Sequence, residues 1–214
     1  MDAYLQERLE LVKALTGSEG LPVAYGDCVL ITCAVIGACA AQRWPGTGID
    51  SKRFVELLVR NSAEQFRSSW VSVPSLLSSG LIAETETPYG DPTNECRVFL
   101  DEDIDLSFGD ARAKYPCVDI KKLRGHCYAS LIYKSLRCPY AHEYRIAKDL
   151  SAMSATESAA RVSYMGQVAN IRSQGIRRRA HFHLPYLVEL AQHQVALATS
   201  SPEPPPQQWW CDMP

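Results

Sequence analysis

The sequence predicts a mainly α protein: a compact helical bundle with a small β-hairpin and a final helix near its C-terminus. Three observations lead there. Apolar residues recur at helical spacing through residues 3–16, 50–65 and 118–137. The stretch "CVLITCAVIGACAA", Cys28 to Ala41, is apolar nearly all round, as a buried core helix is. Strand-like alternation is confined to residues 160–183.

Taken in order, "AYLQERLELVKALT" places Leu5, Leu9, Val12 and Leu15 on one face, and Gly17 ends the turn. The core helix covers about residues 26–42, and its Gly37, Ala38, Ala40 and Ala41 allow another helix to approach closely. "RWPGTG" breaks it, and the third helix runs from Asp50, its expected N-cap, to Gln65 with Phe54, Leu57 and Leu58 on one face. "VPSLLSSGLIAE" reads as a short helix or an irregular connection, and residues 85–116, with "TPYGDPTNE" and "DEDIDLSFGD", as a loop-rich acidic insertion.

The helical pattern resumes near Val118 and continues to Arg137, where Cys138-Pro139 is expected to interrupt it before a further helix to about Ser151. "ARVSYMGQV" and "RRRAHFH" are the two strands of the predicted hairpin, and "PYLVELAQHQVALA" is the last amphipathic helix. The helices of 3–68 and 118–151, the insertion, the hairpin at about 160–183 and the helix 185–198 make one domain over 1–198. Residues 199–214, "TSSPEPPPQQWWCDMP" from Thr199, form a Pro-rich flexible tail that Trp209 and Trp210 are placed to pin to a surface.

Composition narrows the function classes. The longest apolar run is shorter than the roughly 20 residues of a membrane-spanning helix and follows an acidic segment rather than a basic leader, so no membrane partner is expected. The eight cysteines stand at 28, 33, 39, 96, 117, 127, 138 and 211, with no two within four positions of each other. Reduced thiols in a cytoplasmic protein fit this better than a disulfide framework or a zinc site. Residues 1–106 carry 8 Lys+Arg against 16 Asp+Glu, and residues 107–214 carry 14 against 8. Such a split marks either a basic half that meets a polyanion or two halves that attract each other.

The residues most suggestive of chemistry lie in "SLRCPYAHEYRIAKDL", residues 135–150, where Arg137 and His142 stand with four residues between them, between two predicted helices. Comparable spacings occur at Arg178–His183 and Arg177–His183, but inside a predicted strand. The Arg-x4-His strip with its flanking Leu136, Tyr140 and Ile146 resembles the signature of the HEPN (Higher Eukaryotes and Prokaryotes Nucleotide-binding) superfamily over about residues 118–150. Members share a compact helical bundle, and many are metal-independent ribonucleases of toxin–antitoxin and antiviral systems, with the site completed across a two-fold dimer. Where many active members have Asn, Asp or His after the arginine, this chain has Cys138.

The resemblance implies an RNA substrate, a homodimer, a cognate antitoxin as a further partner, and no cofactor or metal. His142 would move protons at the ribose 2′-OH and the leaving 5′-oxygen, and Arg137 would stabilise charge on phosphorus. Residues five apart on an unbroken helix point about 140° away from each other. Convergence of Arg137 and His142 therefore depends on the interruption at Cys138-Pro139.

Secondary candidates surround the strip. Arg145 is either a further phosphate contact or a solvated partner of Glu143 or Asp149. Arg124 and His126 line the same groove or are ordinary surface. Asp27 either caps the core helix or orients His142. Arg177 and Arg179, with His181 and His183 on the same strand face, make either an RNA-backbone track or a charged, aggregation-resistant edge. His181 and His183 have no acidic or cysteine neighbour at metal-ligand spacing.

Overall fold

The architecture is organised around α2 (Tyr25–Arg43), whose sequence offers no polar face for water. The computed structural model describes residues 2–17, 25–83, 98–148, 150–151, 161–167, 177–198 and 201–213. The flanks of α2 are covered by α1 (Asp2–Gly17), α3 (Asp50–Asn61) and α10 (Leu184–Ala196). Cys28, Val29, Cys33, Ile36 and Ala40 are fully buried there. By length and composition α2 is apolar enough to cross a membrane, and half of that apolar stretch is buried in this fold. Asp50 is the first residue of α3, paired with Arg53, and Ile49 occupies the cap position where Asp50 was expected.

The acidic insertion is more structured than its composition predicts. After Ser72 caps α4 (Val73–Ser78) by accepting the Ser75 N–H, residues 84–97 lie outside the described residues. Then come β1 (Phe99–Leu100), α5 (Asp101–Ile104) and α6 (Phe108–Lys114). β1 pairs antiparallel with β2 (Val162–Gln167), which pairs antiparallel with β3 (Arg177–Phe182), in the order β1-β2-β3. Phe99 faces Tyr164 across one ladder, and Tyr164 faces Ala180 across the other. The connection 168–176 of the expected hairpin lies outside the described residues. The outer edge of β3 is met by Leu150 and by the Ser151 N–H, which donates to the Ala180 carbonyl at 2.8 Å.

The segment bearing the Arg137/His142 strip departs most from expectation. α7 (Ile120–Gly125), capped by Asp119, stops at His126 rather than running on. A new helix starts at α8 (Tyr128–Leu131), passes through a π-helical stretch (Ile132–Arg137) and continues as α9 (Cys138–Glu143). The expected prolyl break is absent. Within the π stretch the Cys138 N–H reaches back five residues to the Tyr133 carbonyl, and Pro139, which has no N–H to place, falls at the junction where the ladder changes step. The helix ends at Tyr144, in the left-handed region at φ 50°, instead of continuing to Ser151.

α9 meets α2 where Gly26 leaves room for an aromatic ring. A Cβ on Gly26 would clash with the Tyr140 ring. Gly26→Ala is therefore expected to destabilise the fold by about 1–3 kcal/mol through overpacking, read as a lowered urea midpoint. Adding Tyr140→Leu should recover part of the loss.

The tail, expected to be flexible, lies along the fold over residues 201–213. Arg43 pairs with Glu203 at 2.9 Å, and the Glu203 N–H donates to the Arg43 carbonyl at 2.8 Å. Trp209 sets its ring edge-on to Trp44, and Trp210 packs on both the main core and the second cluster formed around Val71, Leu76, Ala111 and Leu123. An indole pair buries enough apolar surface to hold a segment that its prolines already keep extended.

Candidate functional site

Arg137 and His142 leave one continuous helix from different sides. Arg137, half-buried, lays its guanidinium 5.0 Å from the Tyr133 ring, one turn back, and its Nε is 3.8 Å from where a Gly37 Cβ would stand on α2. Tyr140, which packs against Gly26, shares that α2-facing side. His142, two positions on, therefore projects away from α2, and it is exposed. With Pro139 inside the helix, the turn that convergence required does not occur.

The secondary candidates are dispersed. Arg145 is exposed and paired with Glu143. Asp27, in the first turn of α2, accepts the Tyr144 hydroxyl. Arg124 is buried, donates to the Met213 carbonyl and lies against both the Phe108 and the Trp210 ring. His126 is buried, with Nδ1 2.8 Å from the Ser75 hydroxyl, and burial depresses its pKa to about 4. Neither Arg124 nor His126 lines a groove with His142, because the continuous helix carries its far end roughly 20 Å from theirs.

The predicted RNA track on β3 is also not an open face. His181 and His183 are buried, bonded to the Ser151 carbonyl at 2.9 Å and to the Ser163 hydroxyl at 3.0 Å, and burial lowers both pKa values. Burial favours their neutral form, and the Tyr25 ring lies tilted against His181 with centroids 4.9 Å apart. Arg179 is half-buried, and the side chain of Arg177 lies outside the described residues.

Tertiary structure assembles a different polar cluster. Asp105, buried between α5 and α6, accepts the Tyr128 and Tyr164 hydroxyls on Oδ2 and the Val73 N–H on Oδ1. Tyr164 also meets the Ser72 hydroxyl at 2.8 Å. Burial raises the Asp105 pKa to about 7, against the pull of its three donors. Nearby, Asp101 binds Arg161 at 2.6 Å and Arg67 at 3.4 Å. No spacing in the sequence announces this cluster, since its members come from α4, the α5–α6 connection, α8 and β2.

Beside it is a cavity of about 10 Å³ lined by Ser72, Ser75, Ser78, Tyr164 and Arg178. That is room for a single water. The Ser75–His126 contact has the composition of a nucleophile and base, and the cavity at Ser75 is of about 10 Å³. The cluster binds segments of the fold together.

A larger groove, about 350 Å³, opens between α1 and α10, with Leu184, Pro185 and Val188 as its floor and Lys13 and Glu189 at its rim. Among the described residues, no group of three His, Cys, Asp or Glu side chains is placed to hold a metal ion. None of the described cysteines forms a disulfide. Compared with protein-family models, with curated proteins and with solved structures, the chain matches none, so the HEPN resemblance rests on the residues of its own strip.

Proposed function

We propose that this chain is a non-catalytic helical binding module in which the Arg137/His142 strip serves the fold. One observation carries the reading: Arg137 is engaged at the α2–α9 seam, stacked on Tyr133 and fitted beside Gly37, while His142 leaves the opposite side of an unbroken helix. A proton-transfer group and a phosphate clamp need to reach one scissile linkage together.

A pair of substitutions tests it. Arg137→Ala is expected to lower stability by about 1–2 kcal/mol, through loss of the cation–π contact and of the buried methylenes. His142→Ala is expected to stay within about 0.5 kcal/mol of the parent. Neither should change cell growth on expression or the integrity of added RNA. Cleavage of RNA by the parent protein, lost in a folded His142→Ala variant, would overturn the reading.

A HEPN-like metal-independent ribonuclease is the second reading. It is favoured by the exposure of His142 beside Tyr144, which is 59% exposed. In that case a two-fold homodimer has to bring the His142 of one protomer to the Arg137 of the other, and an antitoxin would act by covering the His142 face.

A further inference from the structure

Residues 208–213 lie in a groove with α3 as one wall, α6 and α7 as the other and Trp44 at its end. Most of the polar contacts there go to the main chain of the tail. The Glu56 carboxylate, 1% exposed, accepts the Trp210 N–H. Arg124, 7% exposed, donates to the Met213 carbonyl, and its Nε is buried without a partner. Arg60 reaches the Gln208 carbonyl at 3.4 Å.

Side-chain selection comes from three seats. Trp209 stands edge-on to Trp44 with ring centroids 5.7 Å apart. Trp210 meets Phe108 at 5.6 Å, with the Arg124 guanidinium 5.4 Å from each of those two rings. Lys52 holds the Asp212 carboxylate at 2.7 Å.

Buried charges aimed at the backbone of an extended segment, with pockets for alternate side chains, are the arrangement of a peptide-recognition groove. Covalent attachment is not needed for any of these contacts. The prolines at 202, 204, 205 and 206 keep the approach extended, which reduces the entropy lost on docking. Glu56 pairs with Arg60 one turn along α3 through one carboxylate oxygen and gives the other to the tail, while Arg124 turns to the tail main chain.

We propose that the groove between α3 and α6–α7 is a peptide-recognition site for extended segments carrying two adjacent aromatic residues and an acidic residue two positions further on. The tail is its occupant in cis, and a polypeptide segment of the same chemistry takes its place in trans. This supplies a site and a ligand class for the binding reading, and it rests on that reading. The tail acts as a built-in competitor, because tethering gives it a high effective concentration at the groove.

The test uses the full chain with Trp209→Ala and Trp210→Ala, which releases the tail, and a fluorescently labelled peptide SPEPPPQQWWCDM under reducing conditions. The released variant is expected to bind the peptide saturably in fluorescence anisotropy, and the parent at least about tenfold more weakly. A peptide with both tryptophans replaced by alanine should not bind. Lys52→Glu in the released variant should weaken binding about tenfold, with recovery by a peptide carrying lysine in place of the Asp212 aspartate.

A released variant that melts cooperatively and binds no peptide overturns the inference. Should that variant not fold, amide exchange of the parent decides. The Trp210 amide is expected to exchange by local opening, far faster than the amides of α2. Protection equal to that of α2 makes the tail a permanent part of the core and overturns the inference. Cleavage of RNA by a variant that also binds the peptide overturns only the non-catalytic reading.

Discussion

Asp105→Ala is expected to lower the unfolding free energy by about 3–5 kcal/mol, the largest effect of any single polar substitution in this chain. The Asp105 side chain is the acceptor for two fully buried tyrosines and for the first amide of α4. Its removal leaves the Tyr128 hydroxyl and the Val73 N–H without a partner, each costing about 1–3 kcal/mol, while Tyr164 keeps the Ser72 hydroxyl, with some relief if water enters the neighbouring cavity. Asp105→Asn keeps the shape but turns an amide N–H₂ toward one of those donors, for an expected loss of about 1–3 kcal/mol.

The same pair of proteins carries a pH signature. Burial places the folded pKa of Asp105 at about 7, above its ordinary 3.8, so its contribution is present at acid pH and lost as pH rises through 7. His126 runs the other way. Burial depresses it from 6.5 to about 4, so its contribution is present above 6.5 and lost as pH falls toward 4.

The two slopes oppose each other between about pH 4 and 6.5, and Asp105 acts alone from there to just above 7. Urea unfolding of the parent is thus expected to weaken from pH 6.5 to 7.5. In Asp105→Asn that decline should vanish, and stability should rise with pH between 4 and 6.5. Parallel profiles for the two proteins would remove the buried carboxylate from this account.

The second large effect is expected at Asp101, where Asp101→Ala should cost about 2–4 kcal/mol. Its carboxylate, 1% exposed, joins the α5 corner to Arg161 at the head of β2 and to Arg67 after the third helix. Arg67 holds a left-handed backbone at φ 51° and stacks 4.1 Å from the Trp70 ring, so the ion pair also fixes a strained corner. Both arginines are about a quarter exposed (22% and 24%) and can turn toward water, which keeps the loss below that of a fully sealed pair.

By contrast, Glu143→Gln, at the exposed pair with Arg145, should leave the midpoint unmoved. Chemical denaturation at low and at high salt separates the two cases. An Asp101→Ala variant as stable as the parent would show that the two arginines find equivalent partners elsewhere.

α1, α2, α3 and α10 were legible because their signals are local. Apolar spacing within each segment already says which side turns inward, and the near-total apolarity of α2 says that it is surrounded. The alternation around Tyr164 and Phe182 likewise marks strands by itself. β1 was illegible: two residues form a strand only because β2, more than sixty positions later, supplies their hydrogen-bond partners. α5 and α6 read as loop since turn-forming and acidic residues dominate their composition, while their apolar contacts lie with distant segments, Ile104 in the main core and Ala111 in the second cluster.

The candidate strip divides the same way. Its residue types and spacing belong to the sequence, and they were enough to suggest phosphate chemistry. Whether Arg137 and His142 face one another depends on how the chain passes Pro139. The cost of a proline depends on which carbonyl the missing N–H would have met, and a π turn packed on α2 and α3 removes that cost without interrupting the helix. The Asp105 cluster and the docking of the tail on Glu56 and Arg124 are wholly tertiary. Burial and hydrogen-bond geometry come into being only when distant segments meet, so no local pattern can carry them.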